Sequence, residues 1–209
     1  MSESARERIL EAACDLVAAE GIDNVRIARV AMRAGASTAL VHHYFSTREE
    51  LLEQALLHSF ELAGDERFAA ESEGGGEASA TAALARAIDE CLPLPGRPER
   101  DWVLWVELWL RAAREPELRP LAATLYRRYH EWLAAVIEAG VKSGEFRAPA
   151  DLAALTDRAM ALLDGLGLRA LLRDPAMDVD AARAQVADLL GSELGVDPAS
   201  LLALSGPPD

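Results

Sequence analysis

Between Asn24 and Arg48 the chain carries two short apolar patterns joined by a glycine, an arrangement that only a tight helical corner accommodates. Val30, Ala31 and Ala34 set a helical spacing that stops at Gly35, a residue that ends a helix without steric cost where φ must be positive. Ser37 then stands as the N-cap of a second helix over residues 38–45. Ala31 is small enough for the two helices to cross closely and Gly35 keeps the turn short, as a helix-turn-helix requires. On the second helix Val41, Tyr44 and Phe45 follow i, i+3, i+4 spacing and are expected to face inward. Thr38, Ala39, His42 and His43 are left outward, short or donor-bearing, a face suited to a major groove.

Charge points the same way. The window from Asn24 to Arg48 contains no Asp or Glu but holds Arg26, Arg29, Arg33 and Arg48 beside the two histidines. Of the net charge of −14, residues 1–50 account for −2, with 6 basic and 8 acidic side chains, and the rest of the chain for −12. The acidic excess therefore lies outside the stretch where a polyanion would dock, and a basic patch in an acidic chain is the footprint expected there.

The run AMRAGASTALVHHYFSTREELL resembles the DNA-binding signature of the TetR family of bacterial repressors, and ALVHHYF is closest to its BetI-like branch. The likeness covers residues 5–57. Three positions depart from the family pattern: Arg26 stands where a capping Thr is usual, Ala36 where Val is usual, and His42 where a phosphate-touching Tyr is usual. The resemblance implies an all-α protein with an N-terminal three-helix DNA-binding domain over 1–47. A larger helical ligand-binding and dimerisation domain would follow over 48–196, and then a tail over 197–209. It also implies a homodimer on a palindromic double-stranded operator, a small-molecule effector and no catalysis. Base edges would be met by Thr38, Ala39, His42 and His43, and phosphates by Tyr44, Arg48, Arg26 and Arg29, with Ser37 at the helix start.

The remaining chain reads as helices, with no sustained period-2 alternation for strands. Ser4 to Glu20 is amphipathic and ends at Gly21; Arg6 on it reads as solvated. Thr47 and Glu50 form a capping box for a helix from Arg48 to about Ala69, with Arg48 beside the second helix of the pair. Three consecutive glycines in ESEGGGEA mark a connector, and a helix over residues 80–92 ends at LPLPGRPE. In ERDWVLWVELWLRAARE, Trp102, Trp105 and Trp109 share one face, Leu104 and Leu108 much of the other, and Glu107 can pair with Arg111. Pro116 opens a helix to about Lys142 bearing Tyr126, Tyr129 and Trp132. Asp151 starts a helix to Arg173 in which Gly165 and Gly167 suit a close backbone approach, as at a subunit interface. Asp178 to Leu194 is the last helix, about the ninth, and pairs with its predecessor as the expected dimer surface.

Two readings of the aromatic segment stand side by side: ordinary core, or the lining of an effector pocket, for which a cation over aromatic faces is one candidate. The candidate lining is Trp102, Trp105, Glu107, Trp109, Tyr126, Tyr129, Trp132 and Asp164. An enzyme is disfavoured, since the four histidines lack HExxH spacing and neither GxSxG nor a phosphate loop occurs. Asp157, Asp164 and Glu107 otherwise read as solvated or paired carboxylates. No metal or cofactor is expected. Cys14 and Cys91 read as buried thiols, and a cytoplasmic protein without membrane spans is expected. The alternative function is a helical ligand-binding dimer without operator binding.

Overall fold

The computed structural model describes residues 4–59 and 79–204, and these form ten α-helices, two 3-10 turns and no strand. The chain divides into two compact units. One comprises Met1–Glu73 with Val103–Arg119, the other Gly74–Trp102 with Pro120–Asp209. This division differs from a boundary at residue 48. The helix over 48–59, α4, falls in the first unit with the first three helices and buries Leu51, Leu52, Ala55 and Leu56.

In the first unit α1 (Ala5–Glu20) begins with a full capping box: Ser4 Oγ accepts the Glu7 N–H, and the Glu7 carboxylate accepts the Ser4 N–H at 2.7 Å. Those two bonds hold the Glu7 carboxyl below its usual range. α1 buries Ile9, Leu10, Ala13 and Cys14, and the Cys14 thiol donates to the Ala55 carbonyl of α4 at 3.1 Å. Arg6 is not merely solvated. It donates to Gln54 of α4 at 3.0 Å, and its guanidinium lies 5.7 Å from the centre of the Phe45 ring.

α2 (Ile27–Arg33) and α3 (Thr38–Tyr44) form the corner that the sequence leads one to expect. α2 ends in a Schellman motif: Gly35 takes φ +62°, its N–H reaches the Met32 carbonyl, and the Ala36 N–H reaches Ala31 at 2.9 Å. Ser37 Oγ then accepts the Leu40 N–H at 3.1 Å, so both orphaned helix ends are satisfied within four residues. Thr47 caps α4 through Glu50, whose carboxylate takes the Ser46 N–H at 2.7 Å.

The second unit holds α5 (Ala80–Glu90), α7 (Arg119–Ser143), α8 (Leu152–Leu171), α9 (Val179–Leu194) and α10 (Pro198–Ala203). Leu84, Ile88, Leu133, Ile137, Leu155, Leu190 and Leu201 belong to one buried cluster. Glu145 caps α5 by accepting the Ala80 and Thr81 N–H groups, which holds its carboxyl below the usual range. Arg183 of α9 meets Asp89 of α5 at 2.6 Å in a nearly buried pair. α10 corrects the expectation that residues 197–209 are a frayed tail. Asp197 caps it, Pro198 presets its first turn, and Leu201 is fully buried.

α6 (Arg97–Arg114) runs from one unit into the other, the division falling between Trp102 and Val103. Its apolar faces are not equivalent. Leu104 and Leu108 are fully buried, Trp105 and Trp109 half-buried, and Leu110 is exposed, so the helix is not buried all round. The expected Glu107–Arg111 pair gives way to a two-bond pair between Arg111 and Glu115, at 3.0 and 2.8 Å. A 3-10 turn over Pro116–Leu118 separates α6 from α7, where one helix from Pro116 is expected. The glycine-rich connector and the helical extension beyond Ser59 lie outside the described residues.

Candidate nucleic-acid interface

α3 is fixed on one side and open on the other. Val41 and Phe45 are buried, while Thr38, Ala39, His42 and His43 are exposed. Tyr44 departs from its expected inward role. It is 38% exposed and meets the His43 ring edge-on at 5.2 Å. The reason is the helix's length: Val41 and Phe45 already fill the α1 side, and Tyr44 falls beyond their stripe. A hydroxyl, two imidazoles, a phenol and a methyl thus share one short exposed surface, enough to read base edges and touch phosphate.

The arginines of the acid-free window sit differently from the sequence expectation. Arg48, expected on a phosphate, donates from Nε to the Val25 carbonyl at 2.8 Å and from Nη2 to the Ile22 carbonyl. It fastens the 3-10 turn Ile22–Asn24 and the Val25 that follows it to the start of α4. Arg26, the N-cap of α2, makes no side-chain cap and donates to the Asp23 carbonyl at 2.9 Å. Arg29 pairs with Glu20, and Arg33 meets Asp15 through Nε and Nη2 at 3.1 and 2.7 Å. The window is free of acids in sequence but not in space, since α1 supplies the carboxylates. The signal available beforehand was that Asp15 and Glu20 lie on the α1 that must pack against α2.

The aromatic candidates fall in both units. In the first, the Trp105 and Trp109 rings meet at a tilt of 42°, 5.7 Å between centres, and Glu107 comes near the Gly21 backbone. In the second, Trp102 is buried against α8, where a Cβ on Gly167 would lie 2.3 Å from its ring. Gly167 is therefore small to admit an indole of its own chain, whereas Gly165 faces open space. Tyr129 and Trp132 lie edge to face at 6.4 Å, and Tyr126 is exposed. Asp164, one turn before Gly167 on α8, is pushed up to about 7 by burial of its carboxyl.

Among the described residues, no cluster of three or more His, Cys, Asp or Glu is arranged to hold a metal ion. Nor is any helix long and apolar enough to cross a membrane.

Residues 9–55 match the bacterial regulatory proteins of the tetR family, and residues 80–195 match the C-terminal domain of BetI-type transcriptional repressors. The HTH-type transcriptional regulator BetI of Burkholderia mallei is 29% identical over 185 residues, 87% of this chain and 89% of its own. A putative transcriptional regulator from Saccharomonospora viridis, solved in complex with choline, superposes with a TM-score of 0.78 at 34% identity. That match covers 91% of this chain and 97% of the other. A putative TetR-family regulator from a Rhodococcus species gives 0.72 at 28%, covering 91% and 99%. These relatives are regulators rather than enzymes, and they match this chain across both the helix-turn-helix and the helices that follow it. The chain belongs to the TetR family of transcriptional regulators, with a C-terminal domain of the BetI type.

Proposed function

We propose that the protein represses transcription as a homodimer on a palindromic operator, each protomer placing α3 in the major groove of one half-site. The observation that carries this is the exposed strip Thr38, Ala39, His42, His43 and Tyr44, held on a corner whose two helix ends are both capped. Two-fold pairing sets half-sites one or more helical turns apart. For the dimer surface we take α8 and α9, where Ala161 and Gly165 lie exposed on α8 and Leu172 lies exposed at its C-cap. Small and apolar residues on a pair of neighbouring helices suit a four-helix seam with a second copy.

For the effector we propose an organic cation. In support, the second unit brings Trp102 against α8 one turn from Asp164, and Tyr129 and Trp132 add aromatic faces. A quaternary ammonium group is attracted to such faces and its charge favours the ionised carboxyl. The S. viridis relative holds choline, which makes choline the first probe. Release of DNA would follow by population shift, the ligand favouring one conformation of the dimer over another.

The test is selection of genomic fragments on the purified protein. A shared palindrome, whose retention falls at least tenfold in the Thr38→Ala/His43→Ala double variant while thermal unfolding is unchanged, supports the reading. Retention of every fragment equal to that of random duplex leaves the alternative, a ligand-binding dimer that does not read DNA.

A further inference from the structure

The carboxylates that meet α2 are set apart from the rest of the interface. Asp15 and Glu20 both come from α1, five residues apart, and they engage the two arginines on the body of α2, Arg33 and Arg29. The guanidinium groups are half exposed, 49% for Arg29 and 52% for Arg33, whereas the carboxylates are more enclosed, 26% for Glu20 and 33% for Asp15. Asp15 also borders an open groove of about 360 Å3 with Arg8, Glu11, Ala12, Arg33 and Ala34, so solvent and ions reach the pair. Arg26, by contrast, is turned onto the Asp23 carbonyl, and Arg48 onto the Val25 carbonyl with only the exposed Glu49 beside it at 3.4 Å.

We infer that Asp15 and Glu20 are masking residues, which hold Arg33 and Arg29 as neutral pairs and thereby limit how strongly α2 attracts any DNA duplex. The inference rests on the DNA-binding reading. Its physical basis is counterion release: a cation strengthens duplex binding to the extent that it replaces the condensed ions around a phosphate. An arginine already neutralised by a carboxylate must first give up that partner, and a phosphate brought near the pair also meets the carboxylate's repulsion. A protein that searches a genome gains from a low affinity for random sequence, because nonspecific sites compete with the operator by number. Masking two arginines in each protomer lowers that affinity without removing them from the sequence.

The test uses the full-length protein and a random-sequence duplex, with affinity followed across salt concentration. Asp15→Asn and Glu20→Gln remove one charge each at partly exposed positions, and Glu53→Gln, on the exposed face of α4, controls for net charge. Each α1 variant is expected to bind random duplex several-fold more tightly. Its salt slope should steepen by about one per freed arginine, roughly two for a dimer with both protomers engaged. Adding Arg33→Gln to Asp15→Asn, or Arg29→Gln to Glu20→Gln, should abolish the gain, which places it on the named pair. Affinity and slope that move no more than in Glu53→Gln, while a selected operator is still bound, overturn the masking role alone. Weaker binding in the α1 variants also overturns it, since the carboxylates would then be orienting the arginines. If neither the native protein nor any variant binds any duplex at low salt, the DNA-binding reading itself fails.

Discussion

α3 and α6 carry opposite kinds of sequence pattern, and the structure treats them differently. α3 is seven residues with a single buried side, and punctuation by Gly35 and Ser37 fixes where it starts and which way it turns. Its exposed residues follow almost directly from that punctuation. α6 is 18 residues and apolar on several sides. Periodicity identifies it as a helix but cannot rank its faces, and the outcome reverses the weight that the tryptophans suggest. The leucines Leu104 and Leu108 are the fully buried residues, while Trp105 and Trp109 are half-buried. A short element bounded by backbone chemistry is thus more legible than a long one bounded by composition.

The sharpest way to break that comparison is to mutate along α6. Leu108→Ala removes a fully buried side chain and is expected to cost about 2–5 kcal/mol in urea unfolding at fixed protein concentration. Leu110→Ala, two residues on at 47% exposure, should stay within about 0.5 kcal/mol. Equal losses would mean that the face carrying Leu110 is buried as deeply as the one carrying Leu108.

A second comparison lies within α8. Gly167→Ala places a Cβ 2.3 Å from the Trp102 ring, and the indole or the helix must yield, at a cost of about 1–3 kcal/mol. The displaced indole should also shift the tryptophan emission. Gly165→Ala meets nothing within 4 Å inside the protomer. It should leave the emission unchanged, and self-association, followed by sedimentation, is where it would act if α8 seats a second copy. Gly165→Ala with unaltered self-association would move the dimer contact off that part of α8.

These helices show what could be read in advance. The corner between α2 and α3 was legible because each of its residues does one local job: Ala31 and Gly35 close the turn, Ser37 caps, and Val41 and Phe45 fill the inside. That α1 brings Asp15 and Glu20 to α2 could be anticipated, but which arginine each meets was not legible, because ion pairs between α1 and α2 depend on how two helices cross, which no spacing within one helix encodes. The same holds for Trp102 and Gly167, 65 positions apart in sequence and in contact through packing. α10 was missed because six residues with one buried leucine give too short a period to stand out beside the Pro and Gly around them.

The smallest expected effect concerns Asp164, and its sign separates a pocket from plain core. Burial raises its pKa from 3.8 to about 7, so the folded protein binds a proton that the unfolded chain has already released over that interval. Stability should therefore be highest below pH 4 as far as this group is concerned, and fall as pH rises toward about 7. Partial exposure limits the size of the change to about 1–2 kcal/mol. Asp164→Asn should flatten that slope in unfolding measured from pH 5 to 8. A cationic ligand beside the carboxyl reverses the sign, because it binds the ionised form: choline affinity should rise as pH passes upward through about 7, by no more than tenfold per unit. In Asp164→Asn that rise should vanish. If the stability slope responds to the substitution and choline affinity does not, Asp164 is a buried carboxyl of the core, and the aromatic residues around α8 hold the fold together without receiving the effector.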